Sequence, residues 1–352
     1  MKKIVIIVSV LIFGLALAAC SPKQTLKVFM PGEYIDEDLV RAFEKEFNVR
    51  VDIITFDSNE IAVTQIQSNS YDLVIPSDYA IEELVDKDLL QPIDTGKLES
   101  FSKDDFDDGL EDILDKLADD GFDLLEYGVP YFWGNVGILY DTNAVSESFL
   151  QENGWNALKD SNYDVMLYDS SRDMFMVALK ALYADTVSIN APSDANLAAA
   201  EAWLIEASGP NADFLTDEVF DVMLDPAQYD MAVVYSGDGV YLMSENENLG
   251  YFVPSEGTNV WVDAFVIPKN AKEVDLAYEF INYFSNYEVA LENALYVGYT
   301  SPFEDVIEYI VTNEEYDPSA YVVALSEKDE FFRYDTTLKS KIEQAWIRVR
   351  AS

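Results

Sequence analysis

Leu26-Lys27-Val28-Phe29-Met30-Pro31-Gly32-Glu33-Tyr34 opens the run that decides the fold. Leu26 to Met30 is short and apolar enough for a buried strand, and Pro31-Gly32 stops it. Behind it, Asp36 to Phe47 puts Leu39, Val40, Phe43 and Phe47 on one face at helical spacing. Val49 to Phe56 alternates as a strand, and Ser58-Asn59-Glu60 starts a helix through Ile66. Tyr71-Asp72-Leu73-Val74-Ile75-Pro76 reads as a third strand. Strands alternating with helices predict right-handed βαβ units, a parallel sheet and hence an α/β fold. Ligands of such sheets sit beyond the carboxyl ends of the strands. Those ends are Pro31-Gly32-Glu33-Tyr34 and Pro76-Ser77-Asp78-Tyr79, each an acid followed by a tyrosine.

The same pairing of acid and aromatic recurs in Gly257-Thr258-Asn259-Val260-Trp261-Val262-Asp263-Ala264-Phe265-Val266-Ile267-Pro268. This stretch is β-branched and apolar, and Pro268 ends it. Alternation puts Trp261 and Asp263 on one face and Val260 and Val262 on the other. An indole beside a carboxylate suits an organic ammonium, through cation–π attraction and a charge-assisted hydrogen bond. A core tryptophan and a turn aspartate is the plainer assignment, but an acid in mid-strand needs a buried partner. Between the two regions, Tyr127 to Gly134 is a crowded aromatic passage expected to cross between domains, followed by a strand from Val136 to Tyr140. A second α/β set follows: strand Val165 to Tyr168, helix Met174 to Tyr183, helix Asn196 to Glu206 and strand Met231 to Tyr235. Helices Val274 to Ser285, Tyr287 to Ala294 and Thr337 to Val349 complete the pattern.

The chain has 352 residues, enough for two domains, and 49% of them are hydrophobic. Lys+Arg 22 against Asp+Glu 66 gives a net charge of −44, which makes a phosphate backbone a poor partner and attracts cations. An aromatic content of 13% argues against disorder despite that charge. With His 0, catalysis by a Ser–His–Asp or Cys–His set is excluded, as is a His-ligated metal. The single cysteine, Cys20, excludes an internal disulfide and a Cys-rich zinc site. Asp104 to Asp115 has Gly109 at the sixth place of a calcium loop, but Phe106 at the third and Asp115 at the twelfth reject that reading in favour of a solvated amphipathic helix. Gly237-Asp238-Gly239 lacks the third glycine of a dinucleotide turn.

Lys2 and Lys3, the apolar run Ile4 to Leu17 and the ending Leu17-Ala18-Ala19-Cys20 form a targeting segment too short for a membrane span. The ending resembles the bacterial lipobox, which implies cleavage before Cys20, lipidation of its thiol and a tether over residues 21–25.

Taken in order, Gly32-Glu33-Tyr34-Ile35-Asp36, Tyr71 to Tyr79, Val129-Pro130-Tyr131-Phe132-Trp133-Gly134, Trp261-Val262-Asp263 with Ile267-Pro268-Lys269-Asn270-Ala271, and Gly298-Tyr299 resemble the extracytoplasmic polyamine-binding lipoproteins that serve spermidine/putrescine ABC transporters. The likeness covers nearly the whole mature chain. It implies the type II periplasmic-binding-protein fold, with lobe 1 from residues 26–135 and 262–303, lobe 2 from 136–261 and 304–352, and the ligand clamped between them. It implies a monomer without a cofactor or a bound metal, anchored outside the cytoplasmic membrane, that hands putrescine or spermidine to permease subunits and is not an enzyme. Position by position, Glu33, Tyr34, Ser77 and Tyr79 line the first lobe's side of the cleft. Asp173 stands where an acid holds a terminal ammonium, Tyr235 where a ring packs on the methylene chain, and Asp238 where putrescine-preferring members carry an acid. Trp261 and Asp263 match the central aromatic–carboxylate pair, and Tyr299 a further wall. Three positions depart from the pattern. Pro31 replaces a tryptophan, Ser170 replaces an acid, and Arg333 falls near a glutamine of spermidine binders. A cation at Arg333 repels one end of a long polyamine unless Asp335 or another acid neutralises it.

Local alternatives remain at this stage. Ser170-Ser171-Arg172-Asp173 has the pattern of a capping box, and Ser77 or Asp78 can cap the helix near Ala80. An extracellular glycosidase needs only two carboxylates flanked by aromatics. An amino-acid binder of the same fold needs an arginine for the α-carboxylate, and Arg172 is the candidate.

Overall fold

The computed structural model describes residues 23–216, 218–224, 226–313 and 321–352. The targeting segment and Cys20 lie outside them. The βαβ pattern is realised from the start. Strand β1 (Thr25–Pro31) pairs in parallel with β2 (Arg50–Phe56), Thr25 opposite Arg50 and Pro31 opposite Phe56. Helix α1 (Glu37–Glu46) between them is capped by the Asp36 carboxylate and buries Leu39, Val40 and Phe43. Helix α2 (Asn59–Ile66) is capped by Ser58. The expected third strand is short, β3 (Leu73–Val74), and helix α3 (Asp78–Asp86) begins directly after it.

The aromatic passage expected to cross between domains does so as a strand: it is the first half of a single 14-residue strand, β4 (Gly128–Asp141), that continues through Val136 to Tyr140. Its early residues pair antiparallel with β9 (Val260–Val266), and its later ones with β7 (Met231–Tyr235) and β8 (Leu249–Phe252). With β5 (Val165–Tyr168) and β6 (Ala212–Leu215), the strand order is β2-β1-β3-β9-β4-β7-β5-β6, and β8 lies on β4. Long β4 therefore belongs to both halves of the sheet and joins them.

Helix α4 (Asp108–Asp119) is the solvated helix of the acidic stretch, with Leu110, Leu114 and Leu117 as its buried face. The second half adds α5 (Ser171–Tyr183), α6 (Asp194–Ala207) and α7 (Ser236–Glu245), the last unforeseen because its amphipathic pattern is weak. Helices α8 (Val274–Phe284), α9 (Tyr287–Val297) and α10 (Glu304–Thr312) return to the first half, and α11 (Thr336–Arg350) closes against α5 and α6. Apolar side chains gather into two cores. One holds Phe29, Phe43, Ile81 and Phe280 and extends across Trp261 to Val234; the other holds Trp155, Phe175, Trp203 and Ala345. Tyr79 and Tyr235 pack against both.

Candidate functional site

Strand β9 carries Trp261 and Asp263, both buried, in the region where the two cores meet. Trp261 lies opposite Gly134 of β4. A methyl carbon at Gly134 would come within 2.7 Å of the indole and 2.4 Å of Ser236 Oγ, so only glycine lets the ring lie flat on the strand. Gly237 plays the same part for Tyr299, whose ring a Cβ there would meet at 2.3 Å.

Around this strand three tyrosines each donate to an aspartate. Tyr34, after β1, gives its hydroxyl to Asp263 Oδ2 at 2.7 Å. Tyr235, at the end of β7, donates to Asp173 Oδ2 at 3.0 Å. Tyr299, after α9, donates to Asp238 Oδ1 at 2.6 Å. The rings form one continuous wall: Tyr34 to Tyr299 at 5.3 Å, Tyr299 to Trp261 at 5.4 Å and Trp261 to Tyr235 at 6.0 Å, all edge to face. Carboxylates alternate with π faces along it, an arrangement that can hold a chain of methylenes ended by ammonium groups.

Two atoms of the wall lack partners. Among the described residues, Asp263 Oδ1 and Trp261 Nε1 are the buried side-chain polar atoms without a hydrogen bond. Leaving such a group unpaired costs about 1–3 kcal/mol, more for a charged one, so a fold that keeps it has a use for it. Burial pushes the Asp263 carboxyl up to about 6, with the nearby Ser77 and the Tyr34 hydroxyl acting in the opposite direction. Burial likewise raises Asp173, offset by Ser170, Tyr235 and Arg172. A cation placed between these groups would pair the free oxygen and favour the charged form of both carboxylates.

The structure brings Tyr34, Ser77, Tyr79, Asp173, Tyr235, Asp238, Trp261, Asp263 and Tyr299 to one region. Ser77 makes a backbone bridge to Asp263, and Tyr79 packs against both cores. Glu33 stands apart: its side chain is exposed, and its backbone turns through φ 53, so the chain enters Tyr34 inward and leaves Glu33 in solvent. Asp78, which the sequence offers as the acid of a strand end and as a helix cap, has a further role. It is 1% exposed, receives the Val262 N–H at 2.9 Å and so ties α3 to the strand between Trp261 and Asp263. Burial, and to a lesser extent the charge of Asp263, push it up to about 8 against the Val262 hydrogen bond. The signal was present as an acid at the first position of a helix, but its partner is a backbone group 184 residues away.

The local alternatives divide. Ser170 caps α5 by accepting from Asp173 N–H at 3.4 Å, so the Asp173 carboxylate is left to face Tyr235. Ser77 stands at the N-cap of α3 without a side-chain cap bond. Arg172, the candidate for an α-carboxylate, has its guanidinium over Tyr79 at 4.0 Å and over Phe332 at 5.1 Å. Arg333 is neutralised by Glu82 at 2.7 Å rather than by Asp335, which caps α11.

Residues 38–318 match the model of the bacterial extracellular solute-binding protein family. The chain belongs to that family. Its fold is the type II periplasmic-binding-protein fold. It is 28% identical over 297 residues to a spermidine/putrescine-binding periplasmic protein of Salmonella typhimurium, covering 83% of this chain and 81% of that one. It is 27% identical over 319 residues to a putrescine-binding periplasmic protein of Escherichia coli, covering 85% and 83%. A solved spermidine/putrescine ABC transporter substrate-binding protein of Streptococcus pneumoniae superposes with a TM-score of 0.75 at 30% identity, covering 93% of this chain and 99% of that one. Family and relatives are solute-binding components of transporters.

Proposed function

We propose that this chain captures protonated polyamines, putrescine or spermidine, outside the cytoplasmic membrane and delivers them to an ABC permease. The observation that carries the reading is the unpartnered Asp263 Oδ1 set in a wall of Trp261, Tyr34, Tyr235 and Tyr299. An aromatic face over an alkyl ammonium contributes about 0.5–2 kcal/mol, and a buried carboxylate supplies the counter-charge. The relatives' names support the same solute class. Binding lies between two lobes; the two cores and their junction at β4 and β9 support two units, although α10 (Glu304–Thr312), placed in lobe 2 by the resemblance, packs in the first core together with Val234 of β7 and Tyr251 of β8. Closing them excludes water and strengthens every charge contact inside. An amino-acid-like solute fits less well, because the candidate arginine is already stacked between Tyr79 and Phe332. Titration of putrescine and spermidine with tryptophan emission as the signal tests the reading: a saturable change that Trp261→Leu diminishes is expected, and a flat signal in a folded protein that answers to an α-amino acid would reject it. The chain works as a monomer held by lipid on Cys20; Cys20→Ser should then appear in soluble fractions, and a mutant still on the membrane would remove the anchor from the account.

A further inference from the structure

Polyamine capture on this reading requires the two halves of the molecule to come together, and a seam of charges, whose Arg172 stacks on Tyr79 at the edge of the site, joins them. The acids lie on helices of the first core: Glu60 in α2, and Glu82 and Glu83 in α3. The cations come from the second: Arg172 in α5, Arg333 beside Phe332, and Lys339 in α11. Arg333 grips Glu82 in a fork, with Nε 3.2 and 3.1 Å from its two oxygens and Nη2 at 2.7 Å. The Tyr334 N–H donates to the same carboxylate at 2.8 Å, and Arg333 Nη1 donates to the Asp120 carbonyl at 3.1 Å. Lys339 Nζ lies 3.4 Å from Glu83 and 3.8 Å from Glu60, and Arg172 lies 3.9 Å from Glu60.

Two features set this seam apart. Apart from Lys180 of α5 with Glu330, which adjoins Phe331 of the first core, the other ion pairs among the described residues join groups of the same half, as Lys97 does with Asp275, Lys341 with Asp194 and Arg348 with Glu201. The seam is also sheltered: the Glu83 side chain is 7% exposed, Glu82 19% and Arg333 24%, so salt screens it less than surface pairs. In a chain of net charge −44, bringing two acidic halves together is opposed by their mutual repulsion. Opposite charges facing each other across the seam offset that repulsion where the halves must touch.

We propose that the Glu82–Arg333 fork, supported by Lys339 with Glu60 and Glu83, is a latch that determines polyamine affinity without touching the ligand. These are positioning residues. They raise the fraction of molecules in the binding-competent closed arrangement, and apparent affinity scales with that fraction. The effect falls mainly on the dissociation rate, since release requires the seam to part. The inference rests on the polyamine reading for its ligand, but its conformational half stands on the ion pairs alone.

The test compares the parent with Glu82→Gln, Arg333→Gln, their double variant and the charge swap Glu82→Arg/Arg333→Glu. Two quantities are read: dissociation rates of putrescine and spermidine by stopped-flow fluorescence, and the radius of gyration of the ligand-free protein by small-angle scattering. Either single variant should release both polyamines about fivefold faster, by a similar factor for each, and should be more expanded without ligand. The charge swap should return both quantities toward the parent. A shifted melting temperature with unchanged release and unchanged dimensions would mean that the fork is ordinary surface stabilisation, and would overturn the latch. A swap that stays fast and expanded while folded by circular dichroism would also overturn it. If the parent bound no polyamine, the functional reading would fall by itself; expansion of the ligand-free single variants would still uphold the latch, and unchanged dimensions would remove it.

Discussion

Asp263→Asn is the perturbation with the clearest expected size. Asp263 Oδ2 accepts from Tyr34 at 2.7 Å, and Oδ1 has no partner among the described residues. Asparagine keeps the shape and can still accept from Tyr34. It removes the charge, and it turns an NH₂ toward the place where the ammonium is expected. Removing one member of a buried charge pair costs about 2–5 kcal/mol, which corresponds to a loss of about thirtyfold to several thousandfold in affinity. Isothermal titration of putrescine and spermidine into parent and variant reads that loss, after circular dichroism has shown both to be folded. The variant should not lose stability without ligand, because a carboxyl held up to about 6 by burial is itself costly to keep charged. A folded Asp263→Asn protein that binds every polyamine as tightly as the parent would refute the placement of the site.

Three further outcomes follow from the same geometry. Trp261→Leu keeps apolar cover and loses the π face, so titration should show a smaller loss, on the order of 1–2 kcal/mol. Asp238→Asn should weaken putrescine more than spermidine if Asp238 meets the far ammonium of a short diamine; equal losses in paired titrations would count against that role. Asp263 at about 6 and Asp78 at about 8 lie above the ordinary 3.8, so in the ligand-free fold their stabilising contribution is full below about pH 4 and is lost as pH rises through about 6 and 8. Polyamine affinity runs the other way and falls below about pH 6 as Asp263 takes its proton; opposite slopes, read as parent minus Asp263→Asn in melting and titration series, are the expected result.

Much of the fold was legible because its signals are local. The strand Leu26 to Met30 and the helix behind it follow from periodicity, and Asp36 and Ser58 cap their helices as residue type suggests. The Trp261 strand is legible for the same reason. The union of the aromatic passage with Val136 to Tyr140 into one strand was not, because Pro130 and the glycines at 134 and 137 are poor strand formers by type, and only the cross-strand rings of Trp261 and Tyr251 fill the space above those glycines. The site depended on pairings that no window contains: Tyr34 with Asp263 spans 229 residues, and Asp78 with Val262 spans 184. Resemblance pointed to most of these residues, but it did not give their partners. Arg333 shows the difference. As a residue it looked like a repulsive charge in the cleft, whereas its geometry makes it the partner of Glu82 across the seam.

The most direct test of polyamine capture is calorimetric titration of the domain that follows Cys20 with putrescine, cadaverine, spermidine and spermine, alongside glutamate and an uncharged sugar. The account predicts one saturable site for at least one polyamine, an enthalpy that weakens with added salt, and no heat from glutamate or sugar. Heat from glutamate or sugar, with none from any polyamine, would contradict it.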